Sequence, residues 1–136
     1  MSEAVLFEKK EGVATVTLNR PDRLNAVNDE IRAGLREKLD DACKDDEVKV
    51  IIVTGAGRGF CAGADIGDTF ETRLEGEDPG NDTVGGSGGM PASVEWIKLV
   101  RESKPIIAAV NGAAVGIGVT MILPFDLIIT SERSSL

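Results

Sequence analysis

Lys104-Pro-Ile-Ile-Ala-Ala-Val-Asn-Gly-Ala-Ala-Val-Gly-Ile-Gly118 is the stretch whose reading decides the fold. An apolar run starts after Pro105, stops at Asn111-Gly112, and gives way to Gly116-Ile117-Gly118. The run reads as a buried strand, Asn-Gly as a turn, and the later glycines as the opening of a short helix near Gly118 to Leu123. Free N–H groups at a helix start, with the helix dipole behind them, suit a developing anion. Glycine packing at a strand–turn–helix joint explains the same letters, so both readings stand for this motif alone. Pro105 to Phe125 carries no charge and is long enough to span a bilayer. It also holds Asn111, Thr120, two prolines and three glycines, which fit strand, turn and helix better than one apolar helix, so a buried core segment is expected.

Working outward, Val48-Lys-Val-Ile-Ile-Val-Thr54 is nearly continuous in apolar residues and predicts a strand covered on both faces, as in a parallel sheet. Gly55-Ala-Gly-Arg-Gly-Phe-Cys-Ala-Gly-Ala-Asp-Ile-Gly67 follows directly. Ligands of open α/β sheets gather at strand C-terminal ends, and small residues let them approach backbone N–H donors. The rival readings are a tight loop, which the glycines alone would explain, and a nucleotide-binding fingerprint G-x-G-x-x-G, which is broken because Phe60 stands where its third glycine belongs and no helix opens immediately. Residues 68–90 are polar, acidic and glycine-rich, which predicts a mobile surface loop. Pro91 can open a helix running to about Ser103. Upstream, Val13–Leu18 reads as a strand and Arg20–Asn25 as a turn. Asn28 caps a helix to about Cys43, whose Ile31, Leu35, Leu39 and Ala42 form one stripe. Asp126–Thr130 reads as a last strand. The order β-α-β-α-β-α-β predicts an α/β fold with a mostly parallel sheet and right-handed crossovers.

Composition narrows the function. The chain has 136 residues and a net charge of −8, which excludes a nucleic-acid binder held by Lys and Arg on phosphates. It has no His and no Tyr, so Ser-His-Asp chemistry, His bases and His metal sites are absent from it. Cys43 and Cys61 form neither a disulfide framework nor a metal cluster, and no metal is expected. Without a signal-peptide pattern, a reducing cytoplasm is the expected location.

Three ordered segments together resemble the crotonase superfamily, the enoyl-CoA hydratase/isomerase family: Arg20-Pro-Asp-Arg-Leu-Asn-Ala26, Arg58-Gly-Phe-Cys-Ala-Gly-Ala-Asp-Ile66, and Lys104 through Gly118 followed by Asp126. The resemblance covers nearly all of residues 1–136 outside 68–90. It implies one CoA-thioester-binding unit, the N-terminal half of a spiral of β-β-α units, here truncated. It also implies that the backbone N–H groups of Ala64 and Ile117 form an oxyanion hole, and that Arg23, Leu24, Ala26, Ala62, Ala64, Asp65 and Ile66 contact the substrate. Two such donors would stabilise a thioester enolate, each typically by about 3 kcal/mol. Coenzyme A would enter as part of an acyl-CoA substrate of fatty acid metabolism, with no separate cofactor. A homo-oligomer, trimer or hexamer, is implied, with no membrane span.

Two departures from the family pattern shape the expectation. The hydratases carry a Glu early in the helix after the second hole, and here that position is Thr120. Thr cannot replace a carboxylate as a base near neutral pH, so two-Glu water addition is in doubt and a one-carboxylate double-bond shift stays open. The second family Glu belongs to a half that these 136 residues do not include. The leading expectation is a lyase or isomerase of this family. The rival is a non-catalytic acyl-CoA-binding or scaffold protein on the same fold. Bare apolar strands over Pro105–Thr130 further predict that the chain needs a partner surface and is not a stable, active monomer.

Overall fold

Strand formation starts earlier than the sequence suggests. Val5–Lys10 (β1) and Val13–Leu18 (β2) pair antiparallel across Glu11-Gly12, both at positive φ (53° and 85°), the geometry of a tight two-residue hairpin. The computed structural model describes residues 3–64 and 93–134. Within them follow a 3₁₀ turn Pro21–Arg23, helix α1 (Asp29–Lys44), β3 (Val50–Gly55), β4 (Gly59–Cys61), α2 (Ser93–Glu102), β5 (Ile106–Val110), β6 (Ala113–Ala114), α3 (Ile117–Thr120) and β7 (Leu127–Thr130). The expected mobile loop at 68–90 and the Pro91 helix start lie outside the described residues.

The main sheet has the order β1-β2-β3-β5-β7. All pairs beyond the hairpin are parallel, as expected. The predicted stripe of α1 is realised: Ile31, Leu35, Leu39 and Ala42 are buried together with Val16, Ile51, Val53 and Ile106 of the sheet. Burying an aliphatic side chain of this size contributes roughly 1.5–3 kcal/mol, so burial of this stripe in the shared core contributes more to holding the helix than its caps do. At the start of α1 the Asn28 Oδ1 accepts the Ile31 N–H at 2.9 Å. At its end the Lys104 ammonium donates to the carbonyls of Ala42 and Asp45, placing a cation on the negative end of the helix. Replacing Asn28→Ala is expected to cost about 1 kcal/mol and to lower Tm by about 3–5 °C in a thermal melt. An unchanged Tm would show that water caps the helix equally well.

Coverage of both faces of the Val48–Thr54 strand is not what the structure shows. Along β3 burial alternates, with Ile51 and Val53 sealed and Val50, Ile52 and Thr54 only half-buried. The run is apolar on both faces, but only one face meets the core described here. The outermost strand β7 is exposed along its length, with Leu127 and Ile129 at 57% and 59%. In the same core α2 buries Trp96, whose indole N–H donates to the Met121 carbonyl at 2.7 Å and whose ring lies 6.4 Å from that of Phe125. The uncharged stretch Pro105–Phe125 is divided among β5, β6 and α3. Among the described residues no helix is long and apolar enough to cross a membrane.

Candidate functional site

Two short strands absent from the sequence-based expectation create the site. β4 and β6 form a separate parallel pair, with Gly59 opposite Ala113 and Cys61 opposite Ala114. The pairing continues through the Val115 N–H, which donates to the Cys61 carbonyl at 3.0 Å. The chain then runs from Cys61 to Ala64 on one side and from Ala114 to Ile117 on the other, equally far past paired residues. The two sequence motifs thus leave one ladder side by side. Gly118 permits this, because a Cβ there would strike the Cys61 carbonyl oxygen. Among the described residues, neither the Ala64 nor the Ile117 N–H has a hydrogen-bond acceptor. With only the residues Ile117–Thr120 in α3, the macrodipole expected behind Ile117 is small, and the N–H itself is the donor.

The Arg20–Ala26 turn packs against the same place. Leu24 and Asn25 both adopt left-handed backbone, at φ 51° and 58°. This folds the turn back so that the Ala62 N–H donates to the Leu24 carbonyl at 3.0 Å and the Val27 N–H to the Gly63 carbonyl at 2.7 Å. Val27 and Ala64 form a parallel bridge. Leu24, Ala26, Ala62 and Ala64, all half-buried, are therefore brought together, with Arg23 exposed at the rim. Asp65 and Ile66 lie outside the described residues. Thr120 is exposed on the last turn of α3. Asp126, part of the third motif, accepts the Ile106 N–H at 2.9 Å and so joins β5 to the start of β7.

Two side chains that the sequence presented only as turn letters prove central. Asn25 is fully buried; its Oδ1 accepts the Arg20 N–H at 2.8 Å, and its Nδ2 donates to the carbonyls of Ala56 and Gly59, each at 3.0 Å. Asn111 accepts from the Gly55 N–H at 3.1 Å and donates to the carbonyls of Gly57 and Gly59 at 3.0 and 3.3 Å. The signal available in sequence was an Asn in each of two motifs, without any indication of a shared partner.

Cys61 is fully buried beneath the site, and that burial pushes its thiol up to about 11. A thiol in this state is a poor nucleophile, in keeping with a packing role. The raised folded pKa gives stability that is present below the unfolded value of 9.0 and is lost as pH rises toward 11. Comparing urea unfolding at roughly pH 8 and pH 10.5 should show this group removing about 2 kcal/mol, with the slope reduced in Cys61→Ala. Equal pH dependence in the two chains would count against it. Among the described residues no group of His, Cys, Asp and Glu could hold a metal ion.

The family model described as Enoyl-CoA hydratase/isomerase matches residues 8–136. The chain is 40% identical to 1,2-epoxyphenylacetyl-CoA isomerase of Escherichia coli, across 98% of its own length and 50% of that protein. It is 38% identical to the probable enoyl-CoA hydratase EchA14 of Mycobacterium tuberculosis, across 92% of its length and 46% of the relative. Among solved structures it is similar to a putative enoyl-CoA hydratase/carnithine racemase from Magnetospirillum magneticum, with a TM-score of 0.77 and 35% identity over 98% of this chain and 48% of that one. The chain thus spans about half the length of the curated relatives it matches.

Proposed function

Because the chain belongs to the enoyl-CoA hydratase/isomerase family, we propose that it holds an acyl-CoA thioester with the carbonyl oxygen between the N–H groups of Ala64 and Ile117. The observation that carries this reading is the β4–β6 ladder, which sends both turns out in parallel with those N–H groups lacking acceptors among the described residues. Removing a proton at the α carbon moves negative charge onto the thioester oxygen. Donors already fixed there stabilise that charge without reorganising. Arg23, Leu24, Ala26, Ala62 and Ala64 would line the approach of the CoA portion, and Asp65 and Ile66 continue the same motif. No cofactor beyond the CoA of the substrate is needed.

Thr120 favours a proton shift over water addition. Its hydroxyl cannot act as a base near neutral pH, so one of the two carboxylates that hydration uses is replaced here by a group that cannot take the proton. The similarity to an isomerase that acts on a CoA ester supports the same choice. The test is incubation with a short-chain 3-enoyl-CoA and a 2-enoyl-CoA in ¹⁸O-water. The expected result is movement of the double bond without ¹⁸O uptake. Hydration with label uptake would overturn the isomerase choice, and tight CoA-ester binding without turnover would favour the non-catalytic alternative.

A cytoplasmic homo-oligomer remains part of this proposal. Exposed Leu123, Leu127 and Ile129 support the need for a covering surface. Sedimentation of the 136-residue chain at low concentration is expected to show association. A monodisperse, active monomer would refute it.

A further inference from the structure

Three segments converge on one carbonyl. The Gly59 oxygen accepts from Asn25 Nδ2 at 3.0 Å and from Asn111 Nδ2 at 3.3 Å, and Gly59 itself begins β4. We propose that Asn25 and Asn111 are positioning residues whose two carboxamides fix where the Ala64 and Ile117 N–H groups stand relative to a bound thioester. This inference rests on the oxyanion-hole reading of those two groups.

Each amide is rooted in one motif and grips another. Asn25 lies just before Val27, the residue bridged to Ala64, and reaches the Gly55–Gly59 turn through the Ala56 and Gly59 carbonyls. Asn111 lies just before β6, which leads to Ile117, and closes on the same turn through the Gly55 N–H and the Gly57 and Gly59 carbonyls. The turn that sets the start of β4 is therefore held from both sides. The segment carrying Ala64 cannot shift along the segment carrying Ile117 without breaking one of these bonds. Packing alone would be served by an apolar side chain at Asn25, the one buried polar side chain among the described residues. A buried amide is worth its desolvation only when its bonds are all made, and here they define a geometry. The CoA-contacting turn is joined to the same point, because Asn25 Oδ1 also holds the Arg20 N–H at 2.8 Å.

The test uses two ligands, butyryl-CoA and S-butyl-CoA, which lacks the carbonyl oxygen, with affinities measured by calorimetry. The wild-type chain should prefer the thioester by about tenfold, the effect of two hydrogen bonds to one oxygen. In Asn111→Asp the acceptor is kept, but an oxygen replaces the Nδ2 donor and faces the Gly57 and Gly59 carbonyls. The preference should fall below about threefold, with S-butyl-CoA affinity changed by less than about twofold. A retained preference, or a parallel loss for both ligands, would overturn the positioning role. If the wild type itself shows no preference, the oxyanion reading fails and this inference falls with it. Should Asn111→Asp not fold, Asn111→Ala carries the same comparison, since water can reach that half-buried position and satisfy the freed groups.

Discussion

Ile117→Pro is expected to leave the chain folded and, on the proposed reading of its N–H as an oxyanion donor, to lower kcat by about 100- to 1,000-fold, the usual effect of deleting one such donor. Proline has no backbone N–H but is well suited to the first position of a helix, which Ile117 occupies after Gly116. No backbone bond of the fold is lost, since the Ile117 N–H has no acceptor among the described residues. The side chain is 9% exposed, so some packing is sacrificed, about 1 kcal/mol. KM should change much less than kcat, because the donor acts most strongly on the charge that develops during reaction. Ile117→Val keeps the N–H and should retain kcat within about threefold. Full activity in a folded proline variant would remove Ile117 from the site.

Gly112→Ala should be the most damaging single methyl group, costing about 4 kcal/mol or more and leaving much of the chain unfolded at 37 °C. A Cβ at Gly112 would overlap the Arg58 carbonyl oxygen and meet the Gly59 Cα at 3.0 Å. These are backbone atoms of a turn whose flanking Gly57 and Gly59 carbonyls are held by the Asn111 and Asn25 amides, so they cannot easily swing aside. Gly34→Ala offers a contrast. There the new methyl meets the Val5 Cγ2 at 2.9 Å and Cβ at 3.1 Å, a side-chain rather than a backbone overlap, and mid-helix alanine recovers about 1 kcal/mol of helix propensity against it. Urea titration separates the two cases: a Gly112→Ala midpoint equal to that of Gly34→Ala would contradict the close approach.

The parts of this fold legible in sequence were those with repeating patterns. The stripe Ile31, Leu35, Leu39 and Ala42 announced α1, and the apolar runs before Gly55 and Asn111 announced β3 and β5. β1 was hidden because Phe7-Glu8-Lys9-Lys10 sits mostly in solvent and carries little alternation. β4 and β6 are too short for any periodicity, yet they bring the two glycine motifs together. Unbroken apolarity in Val48–Thr54 implied two covered faces where burial seals only one, because composition reports what a face can bury and not what this chain brings to it. The site motifs were recognisable as letters. The carboxamide bonds between them were not, since they join residues 31 to 56 positions apart.

The sheet has two differently guarded borders. At β1 the outer strand ends in Glu8, Lys9 and Lys10, and Lys9 is engaged by Asp45 and Glu47 at 2.8 and 2.9 Å. Charges of this kind act as gatekeepers against a foreign strand. At β7, Leu127, Ile128 and Ile129 present an unguarded border with no charge of its own. Any strand addition in concentrated preparations should therefore pair one β7 border with another, closing as a two-fold pair rather than growing into chains. A single lysine at Ile129 would be enough to stop it.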